Sequence, residues 1–207
     1  MNVDDLKVSH TEESAVTELA MKLGELYGSK TTICRGKVHE YLGMDMDWVT
    51  EPGTMIVSMI KYLYKVIEEF PEVMKGKRSS PAGDHLFNVR EDADRKLLPE
   101  EQARQFHRTV AQLLFLCKRA RPDIEPLVSF LTTGVKEPDK DNCGKLKHGL
   151  GYLKGTLYMK RHMRADSPNM IRWWVDALYG VHWDCKCHTG AMMSMGIRRC
   201  VCPSSPS

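Results

Sequence analysis

Residues 98–131 read LPEEQARQFHRTVAQLLFLCKRARPDIEPLVSFL. Phe106, Val110, Leu113, Leu114 and Cys117 recur at three- and four-residue spacing, the signature of a helix that buries one face. Pro122 closes that helix. Asp123 can cap the next, Pro126 is tolerated in its first turn, and Ile124, Leu127, Val128 and Leu131 again share one face. A third helix is expected over about 141–154, with Cys143, Leu146, Leu150 and Leu153 in register. Gly144, Gly149 and Gly151 weaken it by roughly 1 kcal/mol each relative to alanine. Three consecutive amphipathic helices make one helical layer.

Outward from that layer the period changes. On the N-terminal side, Val3, Leu6 and Val8 around Asp4 and Asp5 fit a short strand or a tight strand-turn-strand. Thr11 can cap a helix whose Val16, Leu19, Leu23 and Leu26 lie on one face until Gly28 stops it. Residues 31–49 alternate well enough for a pair of strands turning near Arg35–Lys37. Ser58 is read as the N-cap of a helix through Phe70, with Pro71 as terminator. Residues 72–100, rich in Lys, Ser, Pro, Gly and Asp, read as a long, mobile connection. On the C-terminal side, Ile171, Trp173 and Val175 alternate with Arg172 and Trp174, and a second strand is expected at 191–195. Met192, Met193 and Met195 belong to that strand as buried residues. The last residues, 197–207, carry no packing pattern and read as a disordered tail.

With 207 residues, 42% of them hydrophobic and 28% charged, the chain can bury a core of ordinary size. Its apolar runs are too short to cross a bilayer and its start lacks the order of a signal peptide, so an intracellular protein with no membrane partner is expected. Seven cysteines, four of them in the last 23 residues, suggest no even disulfide framework. The net charge of +3 is unevenly spread. Residues 101–207 carry 17 Lys or Arg against 9 Asp or Glu, and eight of those cations fall within 140–172 against Asp141 and Asp166. Such a field attracts a polyanion such as nucleic acid, although a solvated lysine-rich helix face has the same composition.

Two adjacent carboxylates on a sharp turn suit the hard divalent cations of phosphoryl transfer. In context the pair says more, because Val3-Asp4-Asp5-Leu6-Lys7-Val8-Ser9-His10 followed by a helix resembles the catalytic turn of copia-type retrotransposon reverse transcriptases. Four further stretches match that family in order. Tyr41-Leu42-Gly43-Met44 looks like its primer-gripping hairpin. Leu113 to Leu116 with Arg121-Pro122-Asp123-Ile124 is similar to its paired helices. Lys145-Leu146-Lys147 with Tyr152-Leu153-Lys154-Gly155-Thr156 matches the motif that follows. Trp174-Val175-Asp176-Ala177, with His188-Thr189-Gly190 beyond, resembles the opening of the adjoining ribonuclease H domain.

The resemblance covers about residues 3–196 and implies an α+β chain in four parts. Residues 1–55 are a partial polymerase palm with a small antiparallel sheet, 56–168 supply thumb and connection helices, 169–196 are the β-hairpin start of a ribonuclease H-like domain, and 197–207 are the tail. It implies RNA-directed DNA synthesis, with Asp4 and Asp5 as catalytic Mg²⁺ ligands and Asp176 as a ribonuclease H carboxylate. It implies a template–primer duplex of RNA or DNA as partner, near Tyr41, Leu42, Gly43, Lys145, Lys147, Lys154, Lys160 and Arg161. The polymerase also requires a third carboxylate and the fingers, which would precede Met1, so the chain is expected to be inactive alone and to need an upstream polymerase segment. Positioning is most of what phosphoryl transfer asks of a protein.

Two other functions fit parts of the sequence. One is a non-catalytic nucleic-acid binder or degenerate remnant. The other is a small zinc module built from Cys185, Cys187, His188, Cys200 and Cys202, although single-residue spacing between thiolates suits a tetrahedral Zn²⁺ poorly.

Overall fold

The computed structural model describes residues 5–50, 53–71, 76, 78–88, 95–165, 167, 169–178, 180 and 188–195. Among them are five α-helices, a four-stranded and a two-stranded antiparallel sheet, which makes the protein α+β. In chain order the elements are α1 (Glu13–Tyr27), β1 (Val38–Tyr41), β2 (Met44–Asp47), β3 (Thr54–Ser58), α2 (Ile60–Glu69), α3 (Glu100–Arg119), α4 (Glu125–Thr133), α5 (Lys140–Gly155), β4 (Arg161–Arg164), β5 (Ile171–Leu178) and β6 (His188–Met195).

The core forms where the periodicity of the later helices predicts it, except that Leu114 of α3 is exposed, and α1, despite its apolar spacing, buries none of its residues. Leu63 and Val66 of α2, Phe106, Val110, Leu113 and Leu116 of α3, Leu127, Val128 and Leu131 of α4, and Leu146, Leu150 and Leu153 of α5 are buried together. Val57 of β3 joins them from the sheet. Helix α3 also matches its own dipole, with Glu100 and Glu101 in its first turn and Lys118 and Arg119 in its last. Cys117 lies within this core, and burial pushes its thiol up to about 11.

Helix α5 tests what its glycines do. A Cβ at Gly149 would stand 2.1 Å from Leu127 Cδ2, whereas at Gly144 nothing lies within 4 Å. Gly149 therefore lets α4 approach α5, while Gly144 costs helix propensity and gains no contact. Gly144→Ala should raise stability by about 1 kcal/mol. Gly149→Ala should lower it, because overpacking a buried leucine, at roughly 1–3 kcal/mol, exceeds the propensity gain. Thermal denaturation of the two variants, which must shift in opposite directions, checks both.

The strand order is β1-β2-β3-β4, with every pair antiparallel. The turn between β1 and β2 is at Leu42-Gly43, where Tyr41 pairs with Met44, and not near Arg35–Lys37. Both turn residues have positive φ, 50° and 75°, which gives the two-residue turn the twist that the flanking strands need. Ser58 ends β3 instead of capping α2, whose N-cap is Met59 without a side-chain hydrogen bond. Glu12, not Thr11, is the N-cap of α1, while Gly28 ends that helix at φ 58° as expected. Asp123 does not cap α4; Ile124 stands at that position and Pro126 lies in the first turn.

Strands β3 and β4 were not expected from the sequence. The first is an apolar run with little alternation, and the second reads as a charge run. Residues 5–10, expected to begin in a strand, have no regular structure, and residues 1–4 lie outside the described residues. Residues 78–88, expected within a mobile connection, lie against the helices. Leu86 is buried, Phe87 meets Phe130 edge-on at 5.9 Å, and Ser80 O is 3.1 Å from His148 Nε2. Residues 72–75, 77 and 89–94 lie outside the described residues, as does the tail 197–207. Met192, Met193 and Met195 are exposed on β6, not buried.

Candidate nucleic-acid interface

Two of the motifs singled out in the sequence meet in space. Arg121 is 1% exposed, and its guanidinium forks onto the Asp123 carboxylate, Nε to Oδ1 at 2.9 Å and a terminal nitrogen to Oδ2 at 2.7 Å. The same guanidinium donates to the Thr156 carbonyl at 3.0 Å and to Thr156 Oγ1 at 2.7 Å. The Tyr152 hydroxyl completes the set by donating to Asp123 Oδ2 at 2.9 Å. Burial, then the negative charge of Asp123, hold the Tyr152 phenol above its ordinary range and keep it a donor. The Arg121-Pro122-Asp123 stretch after α3 is thus locked to the C-terminal end of α5.

Strand β4 begins shortly beyond that lock. Five residues past Thr156, Arg161 starts β4 and donates to the Arg119 carbonyl at the end of α3, 2.9 Å away. Arg161, Met163 and Arg164 then pair with Val57, Met55 and Thr54 of β3. The exposed side chains beside the lock and along the run into the sheet are Lys154, in the last turn of α5, Tyr158, Lys160 and, at the end of β4, Arg164. Lys160 also acts on Asp47 of β2, whose carboxyl is held below its usual range, chiefly by the Thr50 hydroxyl and the Val49 and Thr50 amides.

The expected cations divide sharply by burial. Lys145 is buried, paired with Asp141 at 2.9 Å, bonded to the Asn88 carbonyl and set over the Phe130 ring at 4.5 Å. Its role is structural, and the Asp141–Lys145 spacing of four was the signal in the sequence. Lys147 and Arg161 are half-buried, whereas Lys154 and Lys160 face solvent.

At the hairpin, Tyr41 is half-buried and its hydroxyl donates to the Asp5 carbonyl at 3.4 Å. Lys7 lies over the Trp48 ring, 4.5 Å from its centroid. The acidic N-terminal segment therefore runs beside the β1–β2 turn that carries Leu42 and Gly43. Asp5 is exposed, and Asp4 lies outside the described residues. Asp176 is exposed on β5, opposite Gly190 of β6. Cys185, Cys187, Cys200 and Cys202, with the side chain of His188, are outside the described residues. Among the described residues no three His, Cys, Asp or Glu gather as they would around a metal ion. No helix among them is long and apolar enough to cross a membrane.

The chain is 26% identical over 196 residues to a putative transposon Ty5-1 protein of Saccharomyces cerevisiae, a match covering 93% of this chain and 60% of that protein. It is 24% identical over 161 residues to the retrovirus-related Pol polyprotein from transposon TNT 1-94 of Nicotiana tabacum, covering 74% and 12% respectively. The chain is related to retrotransposon polyproteins. An uncharacterized mitochondrial protein of Arabidopsis thaliana is 22% identical over 175 residues, covering 84% of this chain and 68% of that one. The retrotransposon-related chain thus spans less than two thirds of the yeast protein and about an eighth of the tobacco polyprotein. No model of a known protein family and no solved structure matches it. The copia-type resemblance read from the motifs stands with these relatives.

The Arg121–Asp123–Tyr152–Thr156 network is not legible in the sequence as a unit, although all four residues lie in the family-like motifs. An arginine two positions before an aspartate was the local signal. The partners at 152 and 156 lie too far along the chain for any local pattern to reveal.

Proposed function

We propose that the chain serves a retrotransposon reverse transcriptase as the part that holds the template–primer duplex. The observation that carries this reading is the buried lock, which joins two reverse-transcriptase-like motifs, with exposed Lys154 in the last turn of α5, Lys160 just before β4 and Arg164 at the end of β4. Cations held on one rigid body can meet successive phosphates without reading sequence. Tyr158, 76% exposed among them, offers a ring to a sugar or base. RNA-directed DNA synthesis is the larger activity this part would serve. The Tyr41–Asp5 contact supports it by putting a carboxylate-bearing segment beside the primer-gripping turn. Asp5 has the hard oxygen donors that Mg²⁺ takes, and Asp4 with a further carboxylate would be needed to complete a two-metal site.

Brief acetylation with and without a template–primer duplex tests the reading by mass spectrometry. Duplex should protect Lys154 and Lys160 and leave Lys22, paired with Glu18 on α1, modified as before. Modification of Lys154 and Lys160 that is the same with and without duplex contradicts the proposal.

A further inference from the structure

Residues 78–88 run along helix α5 and press closely on it at one end. A Cβ at Gly151 would stand 3.3 Å from Arg78 Cγ, and one at Gly149 would stand 3.5 Å from the Pro81 carbonyl. Further along, segment and helix part around a cavity of about 340 Å³. Its floor is apolar, made by Leu86 of the segment and Leu127 of α4, both buried. Its wall is one face of α5, where Lys140, Gly144 and His148 follow at intervals of four residues, and His85 lines it from the segment. The space belongs to the fold, because bonds hold the segment on either side of it. Lys145 donates to the Asn88 carbonyl, and His148 Nε2 lies 3.1 Å from the Ser80 carbonyl. Gly144 lines this cavity, and a Cβ there would meet nothing within 4 Å, so a glycine that weakens the helix keeps the space open.

The charges around the cavity choose the ligand. Asp141 and Lys145 pair at 2.9 Å and neutralise one another. No hydrogen bond or ion pair among the described residues engages the Lys140 ammonium or the His85 ring, and His148 spends one ring nitrogen on Ser80 and has a second. An ammonium beside two imidazoles, with the carboxylate on the wall already committed, repels a metal ion and attracts an anion. We propose that this cavity binds a small phosphate monoester, its phosphate among Lys140, His85 and His148 and its organic part over Leu86 and Leu127. A phosphate carries nearly two charges and three acceptor oxygens, enough for several donors at once, and lysine meets it as a point charge. A carboxylate would call for the planar fork of an arginine, which does not line the cavity. A few polar groups above an apolar floor are the usual build of a small-molecule site, and the volume exceeds what a bare phosphate fills. The inference stands apart from the duplex reading. It uses none of Lys154, Lys160 and Arg164, and Lys140 lies about 21 Å along α5 from Lys154.

Isothermal titration calorimetry on the full chain in a phosphate-free buffer, with phenyl phosphate, phenol and inorganic phosphate as probes, tests it. Phenyl phosphate should bind with a Kd between micromolar and low millimolar. Inorganic phosphate, which leaves the apolar floor uncovered, should bind at least about tenfold more weakly, and phenol should give no measurable heat. Lys140→Gln should weaken phenyl phosphate about tenfold, the loss of one charged hydrogen bond. Gly144→Leu, which fills the cavity, should abolish binding without lowering the melting temperature, and Lys154→Gln should bind as the wild type does. Silence at about 10 mM phenyl phosphate overturns the proposal. So does phenol or inorganic phosphate binding as tightly as the ester, an affinity that survives Gly144→Leu, or a loss in Lys154→Gln equal to that in Lys140→Gln. Should Gly144→Leu fail to fold, Lys140→Gln, changed at an exposed side chain, decides: unchanged affinity in that variant is contrary.

Discussion

Replacing Arg121 by methionine should destabilise the protein by about 3–5 kcal/mol, the usual cost of removing one partner of a buried, hydrogen-bonded ion pair. The variant leaves the Asp123 carboxylate with only the Tyr152 hydroxyl and strips Thr156 of two donors at once. For a chain of this length that loss corresponds to a fall in Tm of roughly 6–20 °C. Arg121→Lys should recover little, since a single ammonium cannot fork onto a carboxylate and reach a carbonyl and a hydroxyl as well. Replacing both charged partners, Arg121→Met with Asp123→Leu, should be milder than either single change, because no uncompensated charge remains buried. Urea denaturation of these variants gives the comparison directly. The same lock holds the end of α5, where Lys154 stands, so the Arg121→Met protein, even where folded, should hold duplex less well than its overall charge suggests.

The second large effect concerns the cations the lock positions. Changing Lys154, Lys160 and Arg164 together to glutamine should weaken duplex binding by roughly 10³-fold at low salt. Each phosphate contact contributes a slope of about 0.9 in log affinity against log salt, which amounts to roughly tenfold per cation well below molar salt. All three side chains are exposed, so their loss should leave stability nearly unchanged. Lys145→Gln makes the informative contrast. Its ammonium is buried against Asp141 and Asn88, so this change should cost stability and leave the salt dependence of binding alone. Fluorescence anisotropy with a labelled duplex, paired with melting curves, separates the two kinds of cation.

Much of this was legible in the sequence, and what was not has physical reasons. Helices α3, α4 and α5 followed from apolar spacing because each buries one continuous stripe. Asp123 looked like a cap because aspartate before an apolar run usually is one; here a guanidinium two residues away makes the stronger, bidentate claim on it. The hairpin turn was misplaced because Leu42 sits at positive φ, which a leucine rarely adopts, while the sequence offered Arg35-Gly36-Lys37 as a more ordinary turn. Strand β3 hid in an apolar run next to a helix, and β4 in a run of charges. Only their pairing across more than a hundred residues makes either one a strand.

The candidate site shows the same division. Counting charges over 140–172 marks a basic stretch but cannot say that Lys145 spends its charge inside the protein. The family motifs drew attention to Arg121, Asp123, Tyr152 and Thr156, and their chemistry proved to be architecture: four residues tying the segment after α3 to the end of α5. The exposed residues that follow carry the proposed contact. Conversely, the methionines of β6 read as core because methionine usually is, yet the strand lies in a two-stranded sheet whose apolar face is open.

The central claim is that exposed cations beside and beyond the lock hold a nucleic-acid duplex by its phosphates. Its most direct test is the affinity of the chain for a template–primer duplex measured across a series of salt concentrations. Log affinity should fall with log salt with a slope of about −3 or steeper, and the Lys154, Lys160 and Arg164 triple variant should flatten that slope by about 3. A slope near zero, or one that the triple variant leaves unchanged, would contradict the account.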